Sequence, residues 1–279
     1  MRESNPPTYS NAFYDRLRGD SLGSAEALVP LVMPLVKPSR VVDLGCGIGT
    51  WLSVFKRHGA TVLGFDGTWV ERDQLLIAAS EFVAVDLAAP FDVPGTFDLA
   101  VSLEVAEHLP AEAADRLVET LTRLAPVVLF SAAIPNQGGV HHVNERWQSY
   151  WADRFRTHGY DALDCVRPAL WRNGSVAYYY AQNTLLYVER THLQRHPELV
   201  AASRDHLDAS CDVVHPALLL ETVDRCAQMQ DRISALEHQC RRLSRAEPGA
   251  MPFLTALTAL PGLFAHAVRR RLGAPGHSA

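Results

Sequence analysis

The sequence predicts an α/β protein whose sheet is mainly parallel, with helical segments appended after it. Short apolar runs alternate with helical patterns over residues 24–131, as is typical of parallel strands joined by helices. The first run, residues 41–44, leads into Gly45, Gly47 and Gly49. Glycines at alternate positions indicate a tight turn between a strand and a helix, where the backbone can come close to a ligand. In such sheets, ligands bind beyond the carboxyl ends of the strands.

The predicted strands are short apolar runs that end in turn or acidic residues, at residues 40–44, 61–65, 82–85, 97–103 and 127–131. Asp66 and Asp86 directly follow the second and third runs. Two later runs complete the sheet, residues 161–167 and a long aromatic run at residues 176–189. Because aromatic residues favour strands, the last run is predicted to pair antiparallel at the end of the sheet. Alternate residues on it would share one face, which would hold Tyr178, Tyr180 and Gln182.

Helices are predicted from apolar periodicity and from the residues at their ends. Residues 1–20 are predicted to be loosely ordered, and Ser24 is the predicted N-cap of the first helix. Gly59 is a suitable residue to end the helix that follows the glycine turn. Leu117 and Leu124 repeat at helical spacing on one side of a later helix. The predicted helices cover residues 24–36, 50–58, 69–79, 111–124, 147–158 and 213–243.

Composition places the chain among ordinary globular proteins and argues against several functional classes. The 279 residues are 48% hydrophobic and 20% charged, with a net charge of −5, so a general nucleic-acid binder is not expected. The five cysteines are odd in number and form no CxxC pair, which argues against a disulfide framework and a zinc knuckle. The polar N-terminus predicts no signal peptide, and no apolar run reaches the ~18 residues of a membrane span. A cytoplasmic protein is therefore expected.

Four segments are predicted along the chain. They are an N-terminal arm at 1–23, the α/β domain at 24–190, a helical extension at 191–246 and an amphipathic basic tail at 247–279. The predicted helix at 213–243 carries a heptad pattern. Its members seven residues apart are Leu219, Cys226, Ile233 and Cys240, and then Thr222, Met229, Leu236 and Leu243. Both a short coiled coil that forms a homodimer and a helix that packs on the domain fit this pattern.

The segment at residues 253–272 is apolar and ends in Arg269, Arg270 and Arg271. Such a segment suits the surface of an anionic membrane, which would make the protein membrane-associated. Pro261-Gly262 interrupts the apolar run. Docking to a partner and a loosely ordered end are therefore equally open.

Three acidic residues at the rim of the predicted crevice indicate the kind of ligand it holds. Asp43 precedes the glycines, and Asp66 ends the second strand, where a carboxylate can accept hydrogen bonds from both ribose hydroxyls. Asp86 ends the third strand, where a side-chain oxygen can meet an adenine amino group. These charges would repel a pyrophosphate, and the turn offers no lysine to balance it. A nucleoside is therefore favoured over NAD, whose GxGxxG pattern places the third glycine one position later.

This part of the sequence resembles a known family. Residues 41–49, with the sequence VVDLGCGIG, resemble motif I of the class I S-adenosylmethionine-dependent methyltransferases. Residues 97–109, FDLAVSLEVAEHL, resemble the segment that follows the fourth strand in that family. The resemblance covers residues 24–188 and implies a Rossmann-like, seven-stranded sheet with a reversed last hairpin. It also implies S-adenosylmethionine as the cofactor.

The resemblance also implies roles for individual residues. The three glycines would pass under the methionine part of the cofactor, Asp66 would hold the ribose, and Asp86 would hold the adenine. Since Gly67 is small, Trp69 would supply the packing against the adenine. The predicted cofactor-binding set is Asp43, Gly45, Cys46, Gly47, Gly49, Asp66, Gly67, Asp86, Leu87, Leu103, Glu104 and His108.

The loop after the fifth strand carries the predicted catalytic residues. It combines adaptable glycines with two histidines, and imidazole is the side chain that titrates near neutral pH unaided. His142 is the preferred general base, with His141 as the alternative and Glu145 beside them. The preference rests on residues 142–147, which resemble a segment of bacterial methyltransferases of glycan and natural-product pathways. A structural interpretation is also open, in which Asn144 caps the next helix and the histidines are merely exposed.

Polar and aromatic residues from three parts of the chain are predicted to contact the acceptor. An arginine would suit an acidic acceptor, and a tryptophan would suit a sugar ring. No resident metal is predicted, although Glu104, Glu107 and His108 form, with a loop histidine, a set able to ligate Mg²⁺. The predicted acceptor-binding residues are Glu107, Asn144, Trp147, Trp171, Arg172, Tyr179 and Gln182.

These residues predict methyl transfer to a hydroxyl of a sugar, a glycan precursor or another small metabolite. An alcohol acceptor needs a base because its proton must leave, and positioning of the reacting atoms supplies much of the rate. Methylation of nitrogen or carbon is the first alternative. A non-catalytic, cofactor-binding scaffold that dimerises through its helix is the second. The arginine-rich residues 241–245 and 269–271 lack interleaved aromatics, so no nucleic-acid partner is predicted.

Overall fold

A seven-stranded sheet forms the centre of the computed structural model, which describes residues 11–203 and 212–246. The strands are β1 (Arg40–Leu44), β2 (Thr61–Asp66), β3 (Phe82–Ala84), β4 (Leu99–Leu103), β5 (Val127–Ser131), β6 (Tyr160–Leu163) and β7 (Leu185–Glu189). Their order is β3-β2-β1-β4-β5-β7-β6. All neighbours pair in parallel except β7, which is antiparallel to both β5 and β6. The predicted mainly parallel sheet with a reversed last hairpin is therefore confirmed.

Helices cover both faces of this sheet. The helices of the described residues are α1 (Asn11–Val36), α2 (Thr50–Arg57), α3 (Ala111–Leu124), α4 (Gln148–Thr157), α5 (Arg167–Leu170), α6 (Tyr178–Asn183), α7 (Arg190–Arg195), α8 (Pro197–Ser203) and α9 (Pro216–Ala246), of which α1 to α4 pack on the sheet. Successive strand side chains point to opposite faces, so Val41 packs with α1 and α2 while Val42 packs with α3 and α4. Because both faces are covered, β4 and β5 are buried along their whole length. This explains why their sequences read as continuous apolar runs.

The first helix begins earlier than the pattern predicts. Residues 11–20, predicted to be loosely ordered, are helical, and Ser24 lies inside α1 rather than at its N-cap. The Ser24 hydroxyl is fully buried and donates to the backbone oxygen of Asp20 at 2.5 Å. It also accepts from the backbone nitrogen of Ala177 at 3.0 Å. The hydroxyl therefore fastens α1 to the segment before α6, which a prediction from local sequence could not include.

The helix predicted at residues 69–79 is wrong. Two short 3-10 turns, Arg72–Gln74 and Ala79–Glu81, stand in its place. The Leu76 nitrogen donates to the Ile48 oxygen at 2.8 Å, which ties this segment to the glycine turn instead of to its own preceding turn. Ile77 is buried beside Gly49. Contact with the turn thus overrides the local helical pattern.

The long strand predicted at residues 176–189 is only half right. β7 begins at Leu185, and Tyr178–Asn183 form the short helix α6. The expectation that Tyr178, Tyr180 and Gln182 share one face of a strand is therefore wrong. The helical turn brings the Tyr180 ring edge-on to Trp51, with centroids 5.0 Å apart, and buries the amide of Gln182. Tertiary packing of the aromatic residues outweighs their preference for strands.

The chain divides into two compact units between Leu219 and Leu220. The first unit contains the sheet together with residues 191–219, and the second contains most of the 31-residue helix α9. Within the described residues, no helix is both long and apolar enough to cross a membrane. The segment predicted to lie on a membrane surface, residues 253–272, is outside the described part of the chain.

Candidate active site

The glycine turn joins β1 to α2 and places three glycines in left-handed backbone conformations. Their φ angles are +93°, +53° and +83° for Gly45, Gly47 and Gly49, a region that residues with a Cβ rarely adopt. A Cβ on Gly45 would lie 2.3 Å from Val105, and one on Gly49 would lie 2.8 Å from Ile77. A Cβ on Gly47 would meet nothing within 4 Å. Two glycines are thus required by packing, and the middle one faces open space.

Asp66, at the end of β2, holds this turn in place. Its Oδ2 accepts from the Gly47 nitrogen and its Oδ1 from the Gly67 nitrogen, each at 2.6 Å. Burial raises the pKa of Asp66, while these two backbone hydrogen bonds work against that rise. Each carboxylate oxygen has a second lone pair, so both can accept from a further donor. The structure therefore places the predicted ribose-binding carboxylate directly beside the open glycine.

Trp69 lies over Gly67 at the same end of β2. A Cβ on Gly67 would come within 2.2 Å of the Trp69 indole, which is nonetheless 73% exposed. The ring therefore occupies the space where a side chain after Asp66 would lie, and its outer face is open for stacking. Asp86 is exposed and closes a turn, with Oδ1 accepting from the Ala88 nitrogen at 2.9 Å. Leu87 beside it is buried in the core.

Asp43 and Cys46 lie behind the turn rather than at its surface. Asp43 is 2% exposed, and its Oδ2 has no hydrogen-bond partner among the described residues. Burial, and next the charge of Asp66, raises the pKa of Asp43 well above its usual range. The Cys46 sulfur packs in the core, 2.6 Å from an ideal Cβ on Gly64, so only its backbone can face a ligand. A buried acceptor without a partner behind an open glycine fits the cationic methionine end of S-adenosylmethionine.

The open glycine gives a test of this fit with a matched control. Gly47→Ala and Gly59→Ala each put a Cβ on a glycine with positive φ that has free space around it. Both should destabilise the fold by a similar amount, about 1–2 kcal/mol. Only Gly47→Ala is expected to weaken S-adenosylmethionine binding, because Gly59 lies at the far end of α2. Equal affinities of the two variants, measured by calorimetry, would place the cofactor elsewhere.

Glu104 follows β4 and is held by Gln137 and Asn183, which lie outside the predicted set of site residues. Its Oε2 accepts from Gln137 Nε2 at 2.8 Å, and its Oε1 accepts from Asn183 Nδ2 at 3.1 Å. Burial raises the pKa of Glu104, and hydrogen bonds from Asn183, Ser131 and Gln137 work against that rise. Gln182 supports this arrangement, since its Nε2 donates to Gln137 Oε1 at 3.2 Å and to Asn183 Oδ1 at 2.9 Å. Gln182, predicted to bind the acceptor, therefore holds the partners of Glu104.

Glu107, His108 and His142 form a cluster beside Glu104. Their nearest ligand-type atoms all lie within 4.8 Å of one another. Glu107 is fully buried, and neither of its carboxyl oxygens has a hydrogen-bond partner of good geometry among the described residues. Burial, followed by the nearby Glu104, raises the pKa of Glu107 well above its usual range. Partial loss of solvation, followed by the nearby His142, lowers the pKa of His108 to about 4, although part of the side chain is exposed.

The backbone of Glu107 brings the loop after β5 to this cluster. Its carbonyl oxygen accepts from the nitrogens of Val143 and Asn144 at 2.8 and 3.0 Å. Asn144 is buried and its Oδ1 accepts from Arg146 Nε at 2.9 Å. Asn144 therefore does not cap α4, whose N-cap position is taken by Trp147. The structural interpretation of Asn144 as a helix cap is wrong.

His142 and Glu145 form a hydrogen-bonded pair within the loop. His142 Nδ1 lies 3.0 Å from Glu145 Oε1. The same carboxylate accepts from the backbone nitrogens of Asn136 at 2.8 Å and Gly138 at 3.1 Å. Partial burial opposes ionisation of Glu145, but the hydrogen bonds from His142 and Asn136 lower its pKa overall. A carboxylate at Nδ1 assigns the proton there, which leaves the Nε2 lone pair for chemistry.

The loop is held in a strained conformation around this pair. Asn136 and His141 have φ angles of +68° and +61°, and Glu104 across the site has +56°. Such conformations are costly for residues with a side chain, and they are frequent at functional sites. Gly139 is necessary for the pair, since a Cβ there would lie 2.2 Å from His142 Nε2. His141 is exposed and His142 is half-buried, and it is the His142 ring that lies with Glu107 and His108 in the cluster.

The other predicted acceptor-binding residues divide between the cluster and the surface. The buried Tyr179 hydroxyl has no hydrogen-bond partner among the described residues, and burial raises the pKa of Tyr179. Trp147 is 40% exposed. Trp171 packs against His215, with ring centroids 4.7 Å apart, and its backbone oxygen is 2.9 Å from His215 Nε2. Trp171 is therefore engaged in packing, and Arg172 after it is exposed.

Comparisons with known proteins agree with this architecture. The chain matches the family model described as "Methyltransferase domain" over residues 21–174. A ubiquinone biosynthesis O-methyltransferase from Ralstonia nicotianae (strain ATCC BAA-1114 / GMI1000) is 32% identical over 103 residues. That alignment covers 33% of this chain and 42% of the relative. The chain thus matches less than half of the length of this curated relative.

Two solved structures show the same fold. Streptomyces venezuelae DesVI superposes with a TM-score of 0.50 at 15% identity, covering 64% of this chain and 96% of that one. The sugar N-methyltransferase KedS8 from Streptoalloteichus sp ATCC 53650 gives a TM-score of 0.50 at 14% identity, covering 68% and 99%. The match to the family model spans more than half of the 279 residues. The chain therefore belongs to the methyltransferase domain family, and its sheet has the fold of these two solved structures.

Proposed function

We propose that this methyltransferase acts on a hydroxyl group of a sugar, a glycan precursor or another small metabolite. The observation that carries the proposal is the His142–Glu145 pair, 3.0 Å between Nδ1 and Oε1, in the loop after β5. A hydroxyl needs a base because its proton must leave during transfer. Imidazole with a carboxylate at Nδ1 is a suitable base near neutral pH.

Each residue of the cluster has a separate task in this proposal. S-adenosylmethionine supplies a methyl group bound to a sulfonium, which is a good leaving group. His142 Nε2 accepts the hydroxyl proton, and Glu145 stabilises the imidazolium that forms. Glu107 is fully buried, and burial raises its pKa well above the usual range, so in this proposal it lies behind the cluster and does not contact the methyl acceptor. Glu104 is held by Gln137 and Asn183, so it fixes the wall of the site rather than moving a proton.

The curated relative supports an oxygen acceptor, since the Ralstonia protein is an O-methyltransferase. Transfer to nitrogen or carbon remains the alternative. An amine that is already neutral needs no base before transfer, so it would not require His142. Whether the reaction depends on His142 therefore distinguishes a hydroxyl acceptor from an amine acceptor.

A panel of acceptors tests the proposal. The full chain is incubated with methyl-labelled S-adenosylmethionine and with matched pairs of hydroxyl and amino sugars, and the products are identified by mass spectrometry. Label is expected on oxygen of the hydroxyl sugars, with loss of the reaction in His142→Gln. Label found on nitrogen, and retained in His142→Gln, would favour the alternative.

Removal of metal ions shows whether His142 acts as a base or as a metal ligand. Glu107, His108 and His142 are close enough to hold a divalent ion, yet the proposal needs only the imidazole lone pair. Treatment with EDTA is therefore expected to leave the rate of methyl transfer unchanged. The rate is measured before and after dialysis, with Mg²⁺ and Zn²⁺ added back separately. A loss of activity that one of these ions restores would show that the cluster works as a metal site.

A further inference from the structure

The helix α9 presents an exposed apolar stripe that the methyltransferase site does not use. Met229, Ile233 and Leu236 are 47%, 39% and 52% exposed. They fall on alternating steps of four and three residues, together with Cys226 and Cys240. This is the spacing of the a and d positions of a heptad, with Cys226, Ile233 and Cys240 at a and Met229 and Leu236 at d. The 31 residues of α9 have room for about four heptads.

Charged residues flank the apolar stripe, and their pattern indicates which kind of partner covers the stripe. In this heptad Arg225 and Arg232 occupy g positions, while Gln230 and Glu237 occupy e positions. In a parallel pair, each g position lies beside the e position five residues later on the other helix. Arg232 would then meet Glu237 of a second copy, twice in each dimer. In an antiparallel pair the g positions face each other, which would set arginine against arginine.

The choice of apolar residues agrees with two helices rather than three or four. A β-branched residue at a and leucine at d favours a two-stranded coil, and Ile233 and Leu236 have this arrangement. Between Cys226 and Cys240 the outward positions b, c and f hold small or polar residues, which include Ala227, Asp231 and His238, whereas the preceding heptad has Leu220 at b. Such residues suit the solvent side of the pair. A second copy of this chain therefore matches both the stripe and its flanks.

We propose that α9 forms a parallel, in-register coiled coil with α9 of a second copy of this chain. The seam runs through Met229, Ile233 and Leu236, and its direction is set by Arg232 and Glu237. Glu237 also lies 3.6 Å from Arg241 of its own helix. Arg241 occupies an outward b position, so this exposed contact competes with the pairing across the seam. The enzyme is thus a homodimer joined outside the methyltransferase domain.

Sedimentation of the full chain tests the dimer, and oxidation tests its direction. A dimer at micromolar concentration is expected, and a monomer would overturn the proposal. In a parallel, in-register pair each a-position residue lies opposite its own copy, so Cys226 should form a disulfide with Cys226 of the second copy under mild oxidation. Cys240 also occupies an a position, so both proteins in this comparison carry Cys240→Ser. In that background, Cys226→Ser/Asp231→Cys moves the thiol to an outward f position without changing the number of cysteines. Disulfide formation by this control, together with none by Cys226, would show that the proposed seam is wrong.

Charge reversal tests the flanking pair. Arg232→Glu and Glu237→Arg each turn two attractions into repulsions, and each should weaken the dimer about ten-fold. The double variant restores opposite charges across the seam and should recover most of the affinity. If the double variant loses as much free energy of dimerisation as the two single variants together, the parallel pairing is contradicted. Methyl transfer by each purified variant shows that the variant is folded.

Discussion

His142→Gln is expected to lower kcat for methylation of a hydroxyl by roughly 10²–10⁴-fold, the usual contribution of a general base. The glutamine amide reaches the position of Nε2 but cannot accept a proton from the acceptor. Because the side chain lies in the loop after β5 and not in the glycine turn, the affinity for S-adenosylmethionine should stay the same. Steady-state rates and calorimetry on the same preparation check both statements.

Two neighbouring changes show whether the loss belongs to His142 itself. His141→Asn alters the adjacent histidine with a residue that tolerates its left-handed φ of +61°, and it should retain most of the activity. Glu145→Gln should give a smaller loss than His142→Gln, since it removes only the group that orients the ring and stabilises its charge. If His141→Asn is instead the inactive variant, the base is His141 and the assignment to the hydrogen-bonded pair is wrong.

The first five strands could be predicted because burial on both faces leaves a signal in the local sequence. The boundaries of β1 and β5 match the apolar runs at 40–44 and 127–131. The start of β7 could not be predicted from such a local signal. Aromatic residues at 178–180 favour strands in general, yet they form a helical turn because Tyr180 packs on Trp51. That contact depends on the fold of the whole domain.

The sequence indicated which loops form the site, but it did not indicate which side chains are in contact there. The end of each parallel strand indicates which side chains meet, and this was sufficient to bring Asp66 to the glycine turn and His142 near Glu107. The partners of Glu104 lie 33 and 79 residues away, at Gln137 and Asn183. Their only local signal is a run of polar residues inside an apolar segment, as at residues 182–184. Such a run indicates buried hydrogen bonds but does not identify the other partner.

Asp66→Ala is expected to weaken S-adenosylmethionine binding by about 1.5–3 kcal/mol, or roughly 10- to 150-fold in Kd. The change removes a carboxylate predicted to accept from the ribose hydroxyls. It also leaves the nitrogens of Gly47 and Gly67 without their acceptor, so the turn loses its anchor to β2. Both effects act on cofactor binding, and calorimetry with S-adenosylmethionine measures their sum.

Asp98→Ala separates the cofactor effect from a general loss of stability. The Asp98 carboxylate also accepts from two backbone nitrogens, those of Ser39 and Arg40, each at 2.8 Å. It does so at the amino end of β1, on the opposite edge of the sheet from the glycine turn. Asp98→Ala should therefore lower the melting temperature and leave the Kd for S-adenosylmethionine unchanged. If Asp66→Ala lowers only the melting temperature in the same way, Asp66 is a structural anchor of the turn and the ribose binds elsewhere.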